Sequence, residues 1–192
     1  MRLATDRPLR AELFSVGQLE RHARTMAGWH KLAPQAARGH RGPDRLLPRL
    51  RDNEEAFAEA YELLTGAVLR GRQLTPAAEW FIDNYHLIED QIRIARRHLP
   101  RTYSRELPRL LNASTPASPR VYELALELIS HSHGRVDSAG LQAFIVAYQE
   151  VCPLRLGELW AIPIMLRLAL LENLRRVVGS IASGRRDRER AA

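Results

Sequence analysis

The fold is decided by LTPAAEWFIDNYHLIEDQIRIARRHL, residues 74–99. Thr75 can cap a helix, and Pro76 would take the first helical position, which tolerates proline best. At 100° per residue the apolar side chains form two lines. The first line is Phe81, Tyr85, Ile88, Ile92, Ala95 and Leu99, and the second is Trp80, Leu87 and Ile94. A helix with two apolar lines packs on two sides, so we expect one continuous, central helix here, ending before Pro100.

The rest of the chain repeats the helical period. Helices are predicted at about 15–32, 52–70, 119–134, 137–152 and 157–181. Ser15 with Gln18, and Asp52 with Glu55, have capping-box spacing, whereas Pro163 predicts a kink or a restart in the last helix. No segment shows the alternation that is typical of a strand. The sequence therefore predicts an all-α fold of about six helices in an antiparallel, hairpin-like array.

Length and loop composition give the domain prediction. We expect a single helical domain over residues 1–182 of the 192, with a mobile loop at about 33–48. Three prolines and two glycines lie between Pro34 and Pro48. Residues 183–192, which carry Arg185, Arg186, Arg188 and Arg190, predict a basic disordered tail.

The charge balance weighs against nucleic acid as a partner. The chain has 29 basic and 22 acidic residues, a net charge of +7, but acidic residues interrupt the basic ones along the helices. Nucleic-acid binding needs a contiguous basic face. The single cysteine, Cys152, excludes an intrachain disulfide and favours a reducing compartment. No run of about 20 apolar residues predicts a membrane span, and Met1–Arg10 lacks the apolar core of a signal peptide.

Histidine spacing does not predict a metal site. His86 and Glu89 have helical ligand spacing without a third ligand, while His131 and His133 would point to different sides of a helix end. Glu12, Glu20 and His22 are polar surface candidates for chemistry, but no partner residues are predicted near them. Cys152 precedes a proline in apolar surroundings and is expected to be a packed thiol. We therefore predict no catalytic, cofactor-binding or metal site.

The last predicted helix is the candidate interaction surface. Its apolar residues point in all directions, and a six-helix domain can cover only part of such a helix. The residues chosen for this surface are Leu159, Trp160, Ile164, Leu168 and Leu171. The alternative is that the helix is simply the central core element.

Four long segments resemble the extreme N-terminal region of the bacterial cyclic β-1,2-glucan synthases. They are residues 9–30, 74–107, 119–149 and, most specifically, LGELWAIPIMLRLALLENLRR at 156–176. The resemblance implies large inner-membrane enzymes that join a helical region, a membrane-spanning glycosyltransferase using UDP-glucose and a phosphorylase-like region. No residue of this chain matches a catalytic position of that family.

The resemblance implies a non-catalytic helical module, a fragment or split piece supporting membrane-bound glucan synthesis. Its expected place is the cytoplasm at the inner face of the inner membrane. Its expected partner is the remainder of a glucan synthase or a second copy of the chain. The alternative is a basic helical domain that binds nucleic acid or protein, and a third hypothesis is glucan binding through Trp80 or Trp160.

Overall fold

The computed structural model describes residues 8–9, 11–34, 44–99, 103–113 and 118–191, with side chains as far as Arg188. Within these ranges there are eight helices and no strand. The helices are α1 (Val16–Trp29), α2 (Leu46–Leu69), α3 (Pro76–Asp83), α4 (Tyr85–His98), α5 (Tyr103–Glu106), α6 (Arg120–His131), α7 (Ser138–Gln149) and α8 (Leu156–Ala191). The predicted all-α fold is confirmed.

Two helices, α6 and α8, are central to the packing of the molecule. α8 packs against α2, α3, α4 and α6, and α1 packs against α7. One core cluster joins α8 to α2, α3, α4 and α6 through residues such as Phe57, Phe81 and Met165. A second joins α1, α6 and α7 around Leu124 and Phe144. α6 contributes to both clusters, so every residue of it except Glu127 is buried.

The helix predicted over residues 75–99 is interrupted. Asn84 separates α3 from α4, and its side-chain amide donates a hydrogen bond of 2.8 Å to the carbonyl oxygen of Trp80. Asparagine competes with helix geometry through such local bonds. The first apolar line is mostly buried, but Trp80 and Leu87 of the second line are exposed. The prediction of packing on two sides is therefore wrong at these two residues.

α2 begins six residues before its predicted start, so Asp52 and Glu55 lie inside the helix and the capping box predicted there is wrong. The Asp44 carboxylate accepts hydrogen bonds from the backbone N–H of Leu46 (3.1 Å) and Leu47 (3.3 Å), and Leu50 is buried. Pro48 falls in the first turn, where no helical hydrogen bond is lost. The predicted loop at about 33–48 is thus helical from 46, and its residues 35–43 lie outside the described ranges.

α8 extends beyond both of its predicted limits. It crosses Pro163 without a restart and continues to Ala191. Residues 183–191 are therefore helical, and the prediction of a disordered tail is wrong there. Arg185 is buried and donates a hydrogen bond of 3.3 Å to the carbonyl oxygen of Gln73, which anchors this end of the helix. No helix in the described ranges is long and apolar enough to cross a bilayer.

The end signals of the shorter helices are mostly confirmed. The backbone N–H of Ser15 donates to the Gln18 side chain at 2.8 Å at the start of α1. The Asp137 carboxylate caps α7 by accepting from the N–H of Gly140 at 2.6 Å. Val16, predicted to face inward, is exposed because the buried face of α1 begins at Leu19.

Candidate functional site

An apolar groove lies between α3–α4 and the middle of α8. It encloses about 550 Å³. This apolar groove is lined chiefly by Trp80, Leu87, Ile88, Pro163, Leu166 and Leu170. Its polar lining residues are Asn84, Gln91 and Arg167. The break at Asn84 thus lies within the groove.

Three of the groove residues are large apolar side chains that water reaches. Trp80 is 54% exposed, Leu87 50% and Leu170 39%. Single exposed apolar residues are common on protein surfaces, but several that share one concavity mark an interaction site. The groove is therefore the candidate contact surface of this chain.

The predicted surface on α8 is divided between core and solvent. Trp160 is 76% exposed, and Leu159 is half-buried. Ile164, Leu168 and Leu171 are buried, because α2, α4 and α6 cover this side of α8. The structure thus does not bring the five predicted residues to one exposed face. Contact of Trp160 with a partner stays a prediction.

Glu172 fixes α8 to α2. Its fully buried carboxylate accepts hydrogen bonds from Arg49 of α2 at 2.7 and 3.0 Å, from Arg175 at 3.0 Å and from Arg176 at 2.9 Å. Burial by itself would raise the pKa of Glu172, but the hydrogen bonds from Arg49 and Arg175 lower this pKa to about 2. Glu172 is therefore a structural carboxylate that remains ionised.

A second buried ion pair joins the first turns of α6 and α8. Arg120 donates to both carboxylate oxygens of Glu158, at 2.8 and 2.5 Å, and both side chains are buried. It also donates to the Cys152 sulfur at 3.0 Å and to the Pro153 carbonyl at 3.1 Å. These contacts place Cys152 in a packed, half-buried position rather than beside a general base.

His22, Glu127 and His131 form a histidine–carboxylate cluster that the sequence did not predict. The Nε2 atom of His22 lies 2.7 Å from Glu127 Oε1, and Nε2 of His131 lies 3.4 Å from the same oxygen. One ligand atom of each residue lies within 4.8 Å of the others. Among the described residues, neither His86 with Glu89 nor His133 belongs to such a group.

Part of this cluster was readable in the sequence. Glu127 and His131 are four residues apart on α6, so they share one helix face. In the sequence His131 was compared with His133, which points to another side of the helix end, and its spacing to Glu127 was missed. His22 is 105 residues from Glu127 and comes near it only when α1 packs beside α6. No local pattern shows such a contact.

The segment before α1 holds the cluster in place. The backbone N–H groups of Ala11 and Phe14 donate to the carbonyl oxygens of Ser130 and His131, both at 3.1 Å. These bonds satisfy carbonyls at the open end of α6. The Phe14 ring stacks on the His131 ring, with centroids 3.8 Å apart and planes 11° apart. Phe14 therefore fixes His131 twice, by its ring against the imidazole and by its N–H on the backbone carbonyl.

The fold and the groove define the chain as an all-α helical array with an exposed apolar contact surface. Comparison with known proteins adds a relative. Over 149 residues, 78% of this chain, the sequence is 38% identical to the cyclic beta-(1,2)-glucan synthase NdvB of Rhizobium meliloti (strain 1021). No protein-family model matches.

The chain spans about 5% of the length of that relative. Identity at this level over so many residues shows common ancestry, so the chain is related to a segment of a cyclic β-(1,2)-glucan synthase. The resemblance seen in the sequence is confirmed.

Proposed function

We propose that this chain is a non-catalytic helical module of cyclic β-(1,2)-glucan synthesis that docks, through its apolar groove, on other parts of the synthase. The observation that carries the proposal is the 38% identity over 149 residues. In this proposal the partner makes the glucan from UDP-glucose, and the module lies at the cytoplasmic face of the inner membrane.

The occupant of the groove is an apolar helix of the synthase. The matched segment accounts for only 5% of the relative, so such a module has a much larger polypeptide to pack against. An apolar face of a helix fits a concave apolar surface between two helices. Arg167 in the groove lining would orient an acidic residue of that helix.

Nucleic acid is a weaker candidate because many of the arginines pair with carboxylates of the chain itself. Arg24, Arg49, Arg93, Arg96 and Arg120 each form an ion pair with an aspartate or glutamate. Such pairs reduce the positive potential that phosphate groups would meet. A sequence-specific mobility shift that survives physiological salt would favour nucleic acid instead.

The proposal is tested by binding of the purified, labelled chain to detergent-solubilised synthase that lacks the matched segment. Leu170→Glu places a charge in the groove, and we expect it to weaken binding at least tenfold. Leu156→Glu is the matched control, since Leu156 is an exposed leucine of α8 that does not line the groove. This control should bind like the unaltered chain.

Two results would count against docking through the groove. The first is equal weakening, or no weakening, by the two substitutions. The second is concentration-dependent dimerisation of the chain that Leu170→Glu abolishes while binding to the synthase is unaffected. That result would assign the groove to a second copy of this chain.

A further inference from the structure

The geometry points to a binding site for a divalent transition-metal ion of the Zn²⁺ type at His22, Glu127 and His131. The ligands lie on α1 and α6, and none of the three lines the apolar groove. The inference concerns this chain's own chemistry and does not depend on docking.

The hydrogen bond behind His131 fixes which of its nitrogens faces the cluster. Nδ1 lies 2.7 Å from the carbonyl oxygen of Glu12, which can only accept, so Nδ1 carries the hydrogen and donates it. In a neutral ring, Nε2 then presents a lone pair. This lone pair faces Glu127 Oε1 at 3.4 Å, which places two electron-rich atoms side by side. A cation between them, or a proton on Nε2, resolves that repulsion.

Two of the three spacings between ligand atoms are close to those of a metal site, and the third, between His22 and His131, is within 4.8 Å. Zinc binds nitrogen and oxygen at about 2.0–2.1 Å, so two ligands of a tetrahedral site stand about 3.3 Å apart. The separation of 3.4 Å between His131 Nε2 and Glu127 Oε1 already matches this value. The separation of 2.7 Å between His22 Nε2 and Glu127 Oε1 is that of a hydrogen bond. A side-chain shift of well under 1 Å opens it to the ligand spacing.

The surroundings provide the support that metal ligands need. A carbonyl behind a ligating imidazole sets its tautomer and orientation, and the Glu12 carbonyl does this for His131. The Phe14 ring stacks on His131 and meets the His22 ring edge-on, with centroids 5.4 Å apart. These contacts restrict both imidazoles before any ion arrives.

A cavity of about 420 Å³ gives access to the cluster. His22 and Glu127 line it, together with His30 and Glu123. The side chains of His22 and Glu127 are partly exposed, whereas that of His131 is nearly buried. Two of the three ligands, His22 and Glu127, therefore lie at the wall of an open space, which leaves a fourth coordination position for water or a small anion.

The ligand set selects the class of metal. Two imidazoles and one carboxylate suit Zn²⁺, Co²⁺ or Ni²⁺, whereas Mg²⁺ and Ca²⁺ prefer sites made of oxygen. The competing occupant is a proton, which would make His131 an imidazolium ion paired with Glu127. Metal binding has to displace that proton, so the affinity falls as pH falls.

The test is a titration of the chelator-treated full chain with Zn²⁺ by calorimetry and with Co²⁺ by visible absorption. We expect one ion per chain and the intense absorption that four-coordinate Co²⁺ gives. Glu127→Gln keeps the shape of the side chain but removes its charge, and it should weaken binding at least tenfold. His22→Gln should do the same from the other helix.

His86→Gln is the matched control, because His86 is an exposed histidine of α4 outside the cluster. It should bind like the unaltered chain, and far-ultraviolet circular dichroism should show all four proteins folded. If the substitutions unfold the chain, Zn²⁺-dependent shifts of the His22 and His131 imidazole resonances in the unaltered chain decide the question. The inference is overturned if the folded chain binds no stoichiometric ion, or if His86→Gln weakens binding as much as Glu127→Gln.

Discussion

At the residue scale, buried ion pairs connect the helices, and the clearest case is Glu172, which pairs with arginines of α2 and α8. Its spacing to Arg175 and Arg176 is visible in the sequence, so those two ion pairs were predictable. Arg49 is 123 residues from Glu172 and contacts it only because α2 packs on α8. Burial of Glu172 was likewise unpredictable, since charged residues are seldom buried unless they are paired.

Replacement of this carboxylate should cost much of the stability. Removing one partner leaves buried charge uncompensated, so we expect Glu172→Gln to lower the free energy of unfolding by about 3–5 kcal/mol. Urea denaturation followed by circular dichroism measures this. Glu150→Gln, which loses only an exposed pair with Arg24, should change stability far less. Equal effects of the two substitutions would contradict the structural role of Glu172.

The same carboxylate predicts an acid transition. The pKa of Glu172 is about 2 in the folded chain, below the value of about 4.3 in an unfolded chain. The unfolded state therefore takes up protons first as pH falls. Stability from this group is complete above about pH 4.3 and is lost progressively as pH falls towards 2. Chemical denaturation at a series of pH values should show this loss, and the loss should be smaller in Glu172→Gln.

At the element scale, α8 shows what periodicity can and cannot predict. Its helical period was readable from Leu159 onwards, and so was its apolar character. Which of its residues would be covered depends on where α2, α4 and α6 lie, and the sequence does not specify this. Periodicity also predicted one long helix across Asn84, because the apolar lines continue on both sides of it. The Asn84 side chain nevertheless favours a local break.

Two charged substitutions on α8 separate its covered and open sides. Leu168 is only 4% exposed, so Leu168→Glu should destabilise the chain by several kcal/mol. Trp160 projects into solvent, and Trp160→Glu should leave stability within about 0.5 kcal/mol. Thermal unfolding measures both. If Trp160→Glu unfolds the chain, then this side of α8 is covered and the described exposure is wrong.

At the scale of the whole molecule, the all-α class was predictable because every long segment has helical periodicity. The arrangement around α6 and α8 was not, because it depends on contacts distant in sequence. The apolar groove results from that arrangement. It lies beside the break between α3 and α4 at Asn84, where Trp80 and Leu87 face α8 across the groove.

The chain alone should not transfer glucose from UDP-glucose. Sugar transfer needs a bound diphosphate and a positioned base. The sequence contains no pair of aspartates one residue apart to hold a metal and a nucleotide sugar. Incubation with radiolabelled UDP-glucose should therefore give no labelled glucan, whereas complete synthase in membranes is the positive control. Labelled product from the purified chain would overturn the proposal of a non-catalytic module.

The central claim, docking on a glucan synthase through the apolar groove, is tested most directly by restoring synthesis. Membranes carrying synthase without the matched segment are supplied with the purified chain, and cyclic β-(1,2)-glucan formed from UDP-glucose is measured. The account predicts that the unaltered chain and Leu156→Glu raise glucan output, whereas Leu170→Glu does not. Equal restoration by Leu170→Glu, or no restoration by the unaltered chain, would contradict it.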